Sequence, residues 1–358
     1  MLALAFSTCI MAAAKTGTIR YTAATDLNII NRAQPAGADS SALARLDVDR
    51  YPQITPTVNR YGRYSTGLAV AFRTDSPVIQ ARWNTSSNAN GKNTTPILQS
   101  GLDLYIMRDG KWTFAGVGVP KNGNKHSATI VADMDGSMHE CILYMPMFNS
   151  LSSLEIGTEE GYTIEPIANP FRHHIVVIGS SITHGASASR PGLAYPARME
   201  RATGLEFCNL GFSGQCKLDS FFAQIAADTK ADAFIFDTFS NPSAEQIDER
   251  LKAFVDTIRA SHPSTPLIFL QTEVRETGNF DLKKRKFESD KRAAAEAGLK
   301  SLMDAGYNDI YFINPGMPIG DDHECTVDGT HPTDTGFANI CAAILPQITE
   351  ILARYGIK

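Results

Sequence analysis

Two short stretches of this chain hold the residue types that nucleophilic catalysis needs. One is Gly179-Ser180-Ser181-Ile182-Thr183-His184-Gly185, which follows the run His174 to Ile178, and the other is Asp328-Gly329-Thr330-His331-Pro332. A serine hydroxyl is a poor nucleophile until a base takes its proton, and an imidazole serves as that base only when a third group fixes its tautomer. The two stretches together supply all three groups. A metal-dependent route has less support, because no cysteine pair has C-x-x-C spacing and the adjacent His173 and His174 point to opposite faces of a strand.

Residues 150 positions apart must be brought together by the fold. From Phe171 onward, apolar strands alternate with amphipathic helices. Strands are predicted at Ile175 to Ile178, Glu206 to Leu210, Ala233 to Asp237, Leu267 to Thr272 and Ile310 to Ile313. Ile247, Leu251, Phe254, Val255 and Ile258 recur at the helical period, as do Phe337, Ile340, Cys341, Ile344, Leu345 and Ile348. This alternation predicts a three-layer α/β domain with a parallel sheet, whose functional loops collect at the carboxyl ends of the strands. Ser181, Gly211-Phe212-Ser213-Gly214, Asn241 and Asp328 to His331 each follow one of these strands, so they share one edge.

Before Tyr162 the pattern is different. Short β-rich runs such as Gly67 to Phe72, Val78 to Trp83 and Leu102 to Ile106 are punctuated by turn residues, and Asp109-Gly110 is a strong hairpin signal. An antiparallel β-sandwich of jelly-roll type is expected over 15–168 and the α/β domain over 169–358, with the joint at Ala168-Asn169-Pro170. Ser86 to Thr95, rich in Ser, Asn, Gly and Thr, is expected to be a long exposed loop.

In this arrangement the residues resemble the SGNH (GDSL-type) hydrolases, defined by a Ser, a Gly, an Asn and a His arriving in that order on a flavodoxin-like sheet. The resemblance implies Ser181 as nucleophile, His331 as base and Asp328 as its orienter, with the Gly214 N–H and the Asn241 side-chain amide as the oxyanion hole. It extends to a two-domain bacterial subgroup whose leading β-sandwich carries a G-x-D-L-Y segment, matched here by Gly101-Leu102-Asp103-Leu104-Tyr105. Two departures stand out. The usual G-D-S is Gly179-Ser180-Ser181, which leaves the aspartate's role unassigned and Ser180 as an alternative nucleophile. The third block reads Asp237-Thr238-Phe239-Ser240-Asn241-Pro242.

Each of these residues also has an ordinary structural reading. A serine after a strand is commonly a turn residue or helix cap, a lone glycine a turn, and Asn-Pro a helix start. His184 and Arg190 lie near enough to Ser181 to line a substrate site, although a structural role for His184 and a loop-bracing ion pair for Arg190 fit equally. Asp103 and Tyr105 are expected at the contact between the two domains.

The 358 residues are 43% hydrophobic and 20% charged with a net charge of −5, which suits a globular chain with two cores and argues against nucleic acid as a partner. The basic cluster Lys283-Lys284-Arg285-Lys286 is followed by Glu288 and Asp290 and reads as a solvated helix face. Leu2 to Ala14 has the character of a secretory leader without a basic start, so 1–14 is expected to be a signal segment and the protein periplasmic or extracellular; lipidation at Cys9 is a weaker option. No stretch is expected to span a membrane. Cys208 and Cys216 flank a glycine-rich turn, either bridged or as two buried thiols.

The expected function is a serine esterase removing a short acyl group, acetyl foremost, from a carbohydrate or related polar ester, with no cofactor and no metal. The carbohydrate half is implied by the subgroup, not by any residue. Alternatives are a catalytically inactive glycan-binding protein, a lipid-ester or thioester hydrolase and, more distantly, a flavin-binding protein. Oligomeric state is not legible in the sequence.

Overall fold

The computed structural model describes residues 17–37, 41–88, 91–317 and 319–358. The proposed leader and Cys9 lie outside them.

The first part of the chain is antiparallel. Its strands are β1 (Ile19–Ala23), β2 (Asn28–Ile30), β3 (Ala69–Thr74), β4 (Ile79–Thr85), β5 (Leu102–Arg108), β6 (Lys111–Gly118), β7 (Lys125–Val131), β8 (His139–Tyr144), β9 (Leu151–Glu159) and β10 (Ile164–Pro166). One sheet runs β1-β9-β4-β7 and the other β10-β3-β8-β5-β6, with β2 also pairing β3. Between them lies a core that includes Phe72, Trp83, Leu104, Leu143 and Ile156. Arg108 pairs with Lys111 across Asp109-Gly110, and both turn residues have positive φ, 51° and 74°, the signature of a two-residue hairpin. Two short helices, α1 (Pro56–Gly62) and α2 (Pro96–Ser100), are each capped by a threonine and opened by a proline.

The second part contains β11 (Arg172–Gly179), β12 (Leu205–Gly211), β13 (Ala233–Asp237), β14 (Leu267–Leu270) and β15 (Ile310–Ile313), paired in parallel in the order β12-β11-β13-β14-β15. This is the doubly wound, flavodoxin-like order, which reverses beside the first strand and so opens a crevice at the end of β11. Its helices are α3 (Ser181–His184), α4 (Tyr195–Thr203), α5 (Ser220–Ala227), α6 (Ala244–Ser261), α7 (Leu282–Asp304) and α8 (Asp334–Ala353). Strand residues alternate between two cores. Val176, Ile178, Phe234 and Phe236 pack with Phe222, Leu251 and Leu299 of α5, α6 and α7, while Ile175, Val177 and Ile235 pack with Met199, Phe337 and Ile344 of α4 and α8. By length and composition alone α8 is apolar enough to cross a membrane. Its apolar face is nonetheless committed to the second of these cores.

The two parts share apolar and polar contacts. Leu46, Val48, Tyr51 and Val58, which precede β3 in the chain, join the core beneath α5 and α6. Burial removes the Glu200 carboxylate on α4 from water and raises its pKa to about 8, while it accepts hydrogen bonds from Tyr144 (2.7 Å) and Asn31 (3.1 Å) of the antiparallel part. Cys208 and Cys216 are both buried free thiols.

Candidate active site

The loops at the carboxyl ends of the parallel strands converge as the strand pattern requires. Ser181 opens α3 directly after β11, and His331 lies on the segment between β15 and α8. The Ser181 hydroxyl is 2.9 Å from His331 Nε2, and His331 Nδ1 is 2.8 Å from Asp328 Oδ2. Asp328 Oδ1 accepts the backbone N–H groups of Thr330 (3.1 Å) and His331 (2.9 Å). Burial alone would raise the Asp328 carboxyl, but hydrogen bonds from the His331 backbone and ring and from Asn93 hold it at about 2. An ionised Asp328 requires the proton on Nδ1, which leaves Nε2 as the acceptor facing Ser181. Ser180 is fully buried and caps α3 by accepting the Ile182 N–H (3.4 Å), so Ser181 is the serine that faces the histidine.

Gly214 and Asn241 are brought to the same edge. Asn241 donates a side-chain N–H to the carbonyl of Gln215, next to Gly214, and its second N–H is left for another acceptor. Gly214 has φ 71°, and a Cβ built there meets nothing within 4 Å. The left-handed backbone at this position favours glycine, and the open space around it leaves the backbone uncovered. Close packing within the chain requires glycine at Gly211, where a Cβ would sit 2.1 Å from the backbone nitrogen of His184.

The aspartate missing after Gly179 has a counterpart on β13. Asp237 accepts the Thr183 hydroxyl at 2.7 Å, and Thr183 lies 2.9 Å from the Tyr195 hydroxyl, so α3 is tied to the end of β13. Complete burial pushes the Asp237 carboxyl up to about 7, against the pull of these hydrogen bonds.

Neither residue offered as substrate-lining reaches the wall of the cavity beside His331. His184 is fully buried; its Nε2–H donates to the Met147 carbonyl (2.7 Å), its Nδ1 accepts the Ser213 N–H (3.3 Å), and its ring stacks on Phe148 at 4.0 Å. Burial and the charge of Arg45 hold its pKa well below the usual histidine range, which keeps it a neutral brace for the Gly214 turn. Arg190 pairs with Asp103 (2.8 Å) and the Tyr105 hydroxyl (2.7 Å). The G-x-D-L-Y segment therefore grips the loop that follows α3.

Three residues absent from the sequence-based site belong to it. Asp237 is described above. Arg45, buried in the antiparallel part, donates to the carbonyls of Asn209 (3.1 Å), Gly211 (2.8 Å) and Tyr61 (3.2 Å) and stacks on Phe212, holding the end of β12. Asn93 donates to Asp328 Oδ2 at 2.9 Å. Ser86 to Thr95 is thus not simply exposed, since Asn93 to Thr95 turn inward and are half-buried. Turn-forming composition is the same whether a loop hangs in water or closes over a site, so only the fold distinguishes the two.

The cavity beside His331 has a volume of about 430 Å³. Its walls include Arg60, Tyr61, Tyr64, Asn88, Gln99 and Phe148, all from the antiparallel part. Among the described residues one cluster elsewhere has metal-ligand character: His174, Glu206 and Cys208. Its hydrogen bonds account for it without an ion. His174 lies between Glu206 (2.6 Å) and the Ala33 carbonyl (3.2 Å), and the other Glu206 oxygen accepts from Asn31 and Asn169. Burial keeps Cys208 a thiol by raising its pKa well above the usual range.

Comparison with known proteins shows the family. Residues 172–349 match the GDSL-like lipase/acylhydrolase family, and residues 19–164 match the N-terminus of SGNH-hydrolase-type esterases. A crystal structure described as a GDSL-like lipase from Bacteroides ovatus is 44% identical, covering 94% of this chain and 98% of its own, with a TM-score of 0.91. The chain belongs to the GDSL-like (SGNH) acylhydrolase family and is an ester hydrolase. More distant structures share the fold. A salicylyl-acyltransferase from a tetracycline biosynthetic pathway is 19% identical (TM-score 0.73, covering 95% of this chain and 99% of that one). A family two carbohydrate esterase from Cellvibrio japonicus is 13% identical (TM-score 0.60, 94% and 99%). A search of curated proteins found no match.

Proposed function

We propose that this protein is a serine esterase that removes short acyl groups, acetyl foremost, from carbohydrate or related polar esters through an acyl-enzyme. The observation that carries the reading is the unbroken hydrogen-bond chain from Asp328 through His331 to Ser181, at 2.8 and 2.9 Å.

Ser181 attacks the ester carbonyl as His331 Nε2 takes its proton, and the imidazolium is stabilised by Asp328. Negative charge moves to the former carbonyl oxygen, where the Gly214 N–H and the free N–H of Asn241 receive it. The C–O bond to the alcohol breaks as His331 returns the proton to the departing oxygen. Water, deprotonated by His331, then attacks the acyl-serine and releases the carboxylic acid and Ser181.

Two observations support a carbohydrate as the alcohol half. The cavity beside the proton-delivering histidine combines aromatic rings with side-chain amides, a lining that suits the faces and hydroxyls of sugars. The same fold serves the Cellvibrio japonicus carbohydrate esterase and an acetyl xylan esterase from Butyrivibrio proteoclasticus.

The test is hydrolysis of aryl esters of increasing acyl length and of acetylated oligosaccharides, with the trapped enzyme weighed by mass spectrometry. Acetyl-Ser181 and release of acetate are expected. Turnover no faster than that of Ser181→Ala on every ester would leave a glycan-binding protein as the better reading.

A further inference from the structure

We propose that Asn93, carried by the antiparallel part of the chain, is a positioning residue for the hydrolytic reaction. The inference rests on Ser181, His331 and Asp328 acting as proposed above, and it makes the N-terminal part a working member of the site.

Asp328 receives four donors. Three come from its own loop: the His331 ring N–H and the backbone N–H groups of Thr330 and His331. The fourth, Asn93 Nδ2, arrives from 235 residues away in sequence and binds Oδ2, the oxygen that also holds the His331 ring. It lies only 3.3 Å from His331 Nδ1. The need for it follows from exposure. The Asp328 side chain is 36% exposed, so water competes for the oxygen that must keep one imidazole tautomer in line with Ser181. A neutral amide occupies that oxygen without adding charge, and its geometry is fixed while water's is not.

Asn93 is itself tied to the segment that bears the nucleophile. The Ser187 hydroxyl donates to the Asn93 carbonyl (2.8 Å), and the neighbouring Thr95 hydroxyl donates to the Ser189 carbonyl (2.6 Å). Ser187 and Ser189 lie in the loop after α3. The loop therefore spans from the Ser181 side of the site to the Asp328 side and holds both in register. Asn93 also lines the cavity that would take the alcohol half, so a seated substrate packs against the residue that steadies the base. The titratable and charged groups around it are His331 and Asp328, with Arg60, Tyr61 and Tyr64 in the cavity wall.

The experiment compares wild type, Asn93→Ala and Asn93→Asp. Steady-state hydrolysis of an aryl acetate is followed from about pH 5 to pH 9, alongside thermal unfolding and the low-field proton NMR signal of the His331 ring N–H. Asn93→Ala is expected to lower kcat by between about tenfold and a hundredfold with KM nearly unchanged and folding intact, and to shift or broaden the ring-proton signal. Asn93→Asp sets a second carboxylate beside His331 and should move the acid limb of kcat/KM to higher pH. An unchanged kcat in Asn93→Ala, an Asn93→Asp profile superimposable on wild type, or a loss explained entirely by unfolding would overturn the proposal. Were wild type inactive on every ester, the esterase reading would fall. The ring-proton signal would still judge Asn93, and its insensitivity to Asn93→Ala would overturn the contact.

Discussion

The buried carboxyl of Asp237 should make this protein less stable as pH rises toward neutrality, and Asp237→Asn should remove that group's share of the loss. In the folded chain burial holds the group's pKa at about 7, against an ordinary value of 3.8. Below the ordinary value both folded and unfolded states carry the proton, and the group contributes nothing to pH dependence. Between there and about pH 7 the unfolded chain releases its proton while the folded one keeps it, so stability falls with increasing pH. Three units at about 1.4 kcal/mol each set a ceiling of roughly 4 kcal/mol. Asparagine resembles the protonated carboxyl in shape and keeps an oxygen to accept from Thr183, which donates to Asp237 at 2.7 Å. Urea unfolding of both proteins across about pH 4 to pH 8 measures the effect. The variant should match wild type at the acid end and gain on it by up to one proton's worth per unit, levelling off above neutrality. A difference that stays constant over this range would show that Asp237 is ionised throughout and refute the reasoning.

Other perturbations test the site and the joint between the two parts. Ser181→Ala and His331→Ala should each lower kcat by roughly 10⁴-fold or more, and the double variant should be scarcely worse, because the two residues act as one unit. Gly214→Ala forces an alanine to φ 71°; its cost is on the order of 1 kcal/mol in folding, and kcat on an aryl acetate should fall roughly tenfold or more as the N–H tilts. Asp103→Asn strips the charge from a fully buried partner of Arg190, so denaturant titration should show a loss of about 3 kcal/mol.

What the sequence revealed and what it hid follow from how each feature is encoded. The parallel strands were legible because burial on both faces demands continuous apolar runs, and Ala233–Asp237 and Ile310–Ile313 fall where those runs begin and end. Ser181, His331 and Asp328 were legible because motif residues lie close together and a parallel sheet gathers its loops on one edge. Asn93, Arg45 and Asp237 carried no such signal. Each acts through a partner distant in the chain, Asn93 on Asp328, Arg45 on the Asn209 and Gly211 carbonyls, and Asp237 on Thr183. An asparagine in a polar loop, an arginine before a helix and an aspartate ending a strand are each ordinary in their local setting. Two of the three come from the antiparallel part, which sequence pattern separates from the chemistry but which supplies the end-of-strand clamp, the fourth donor to Asp328 and much of the cavity wall. The division into two folding patterns is therefore not a division of labour: the α/β sheet sets the reacting groups on one edge, and the sandwich holds them in line there.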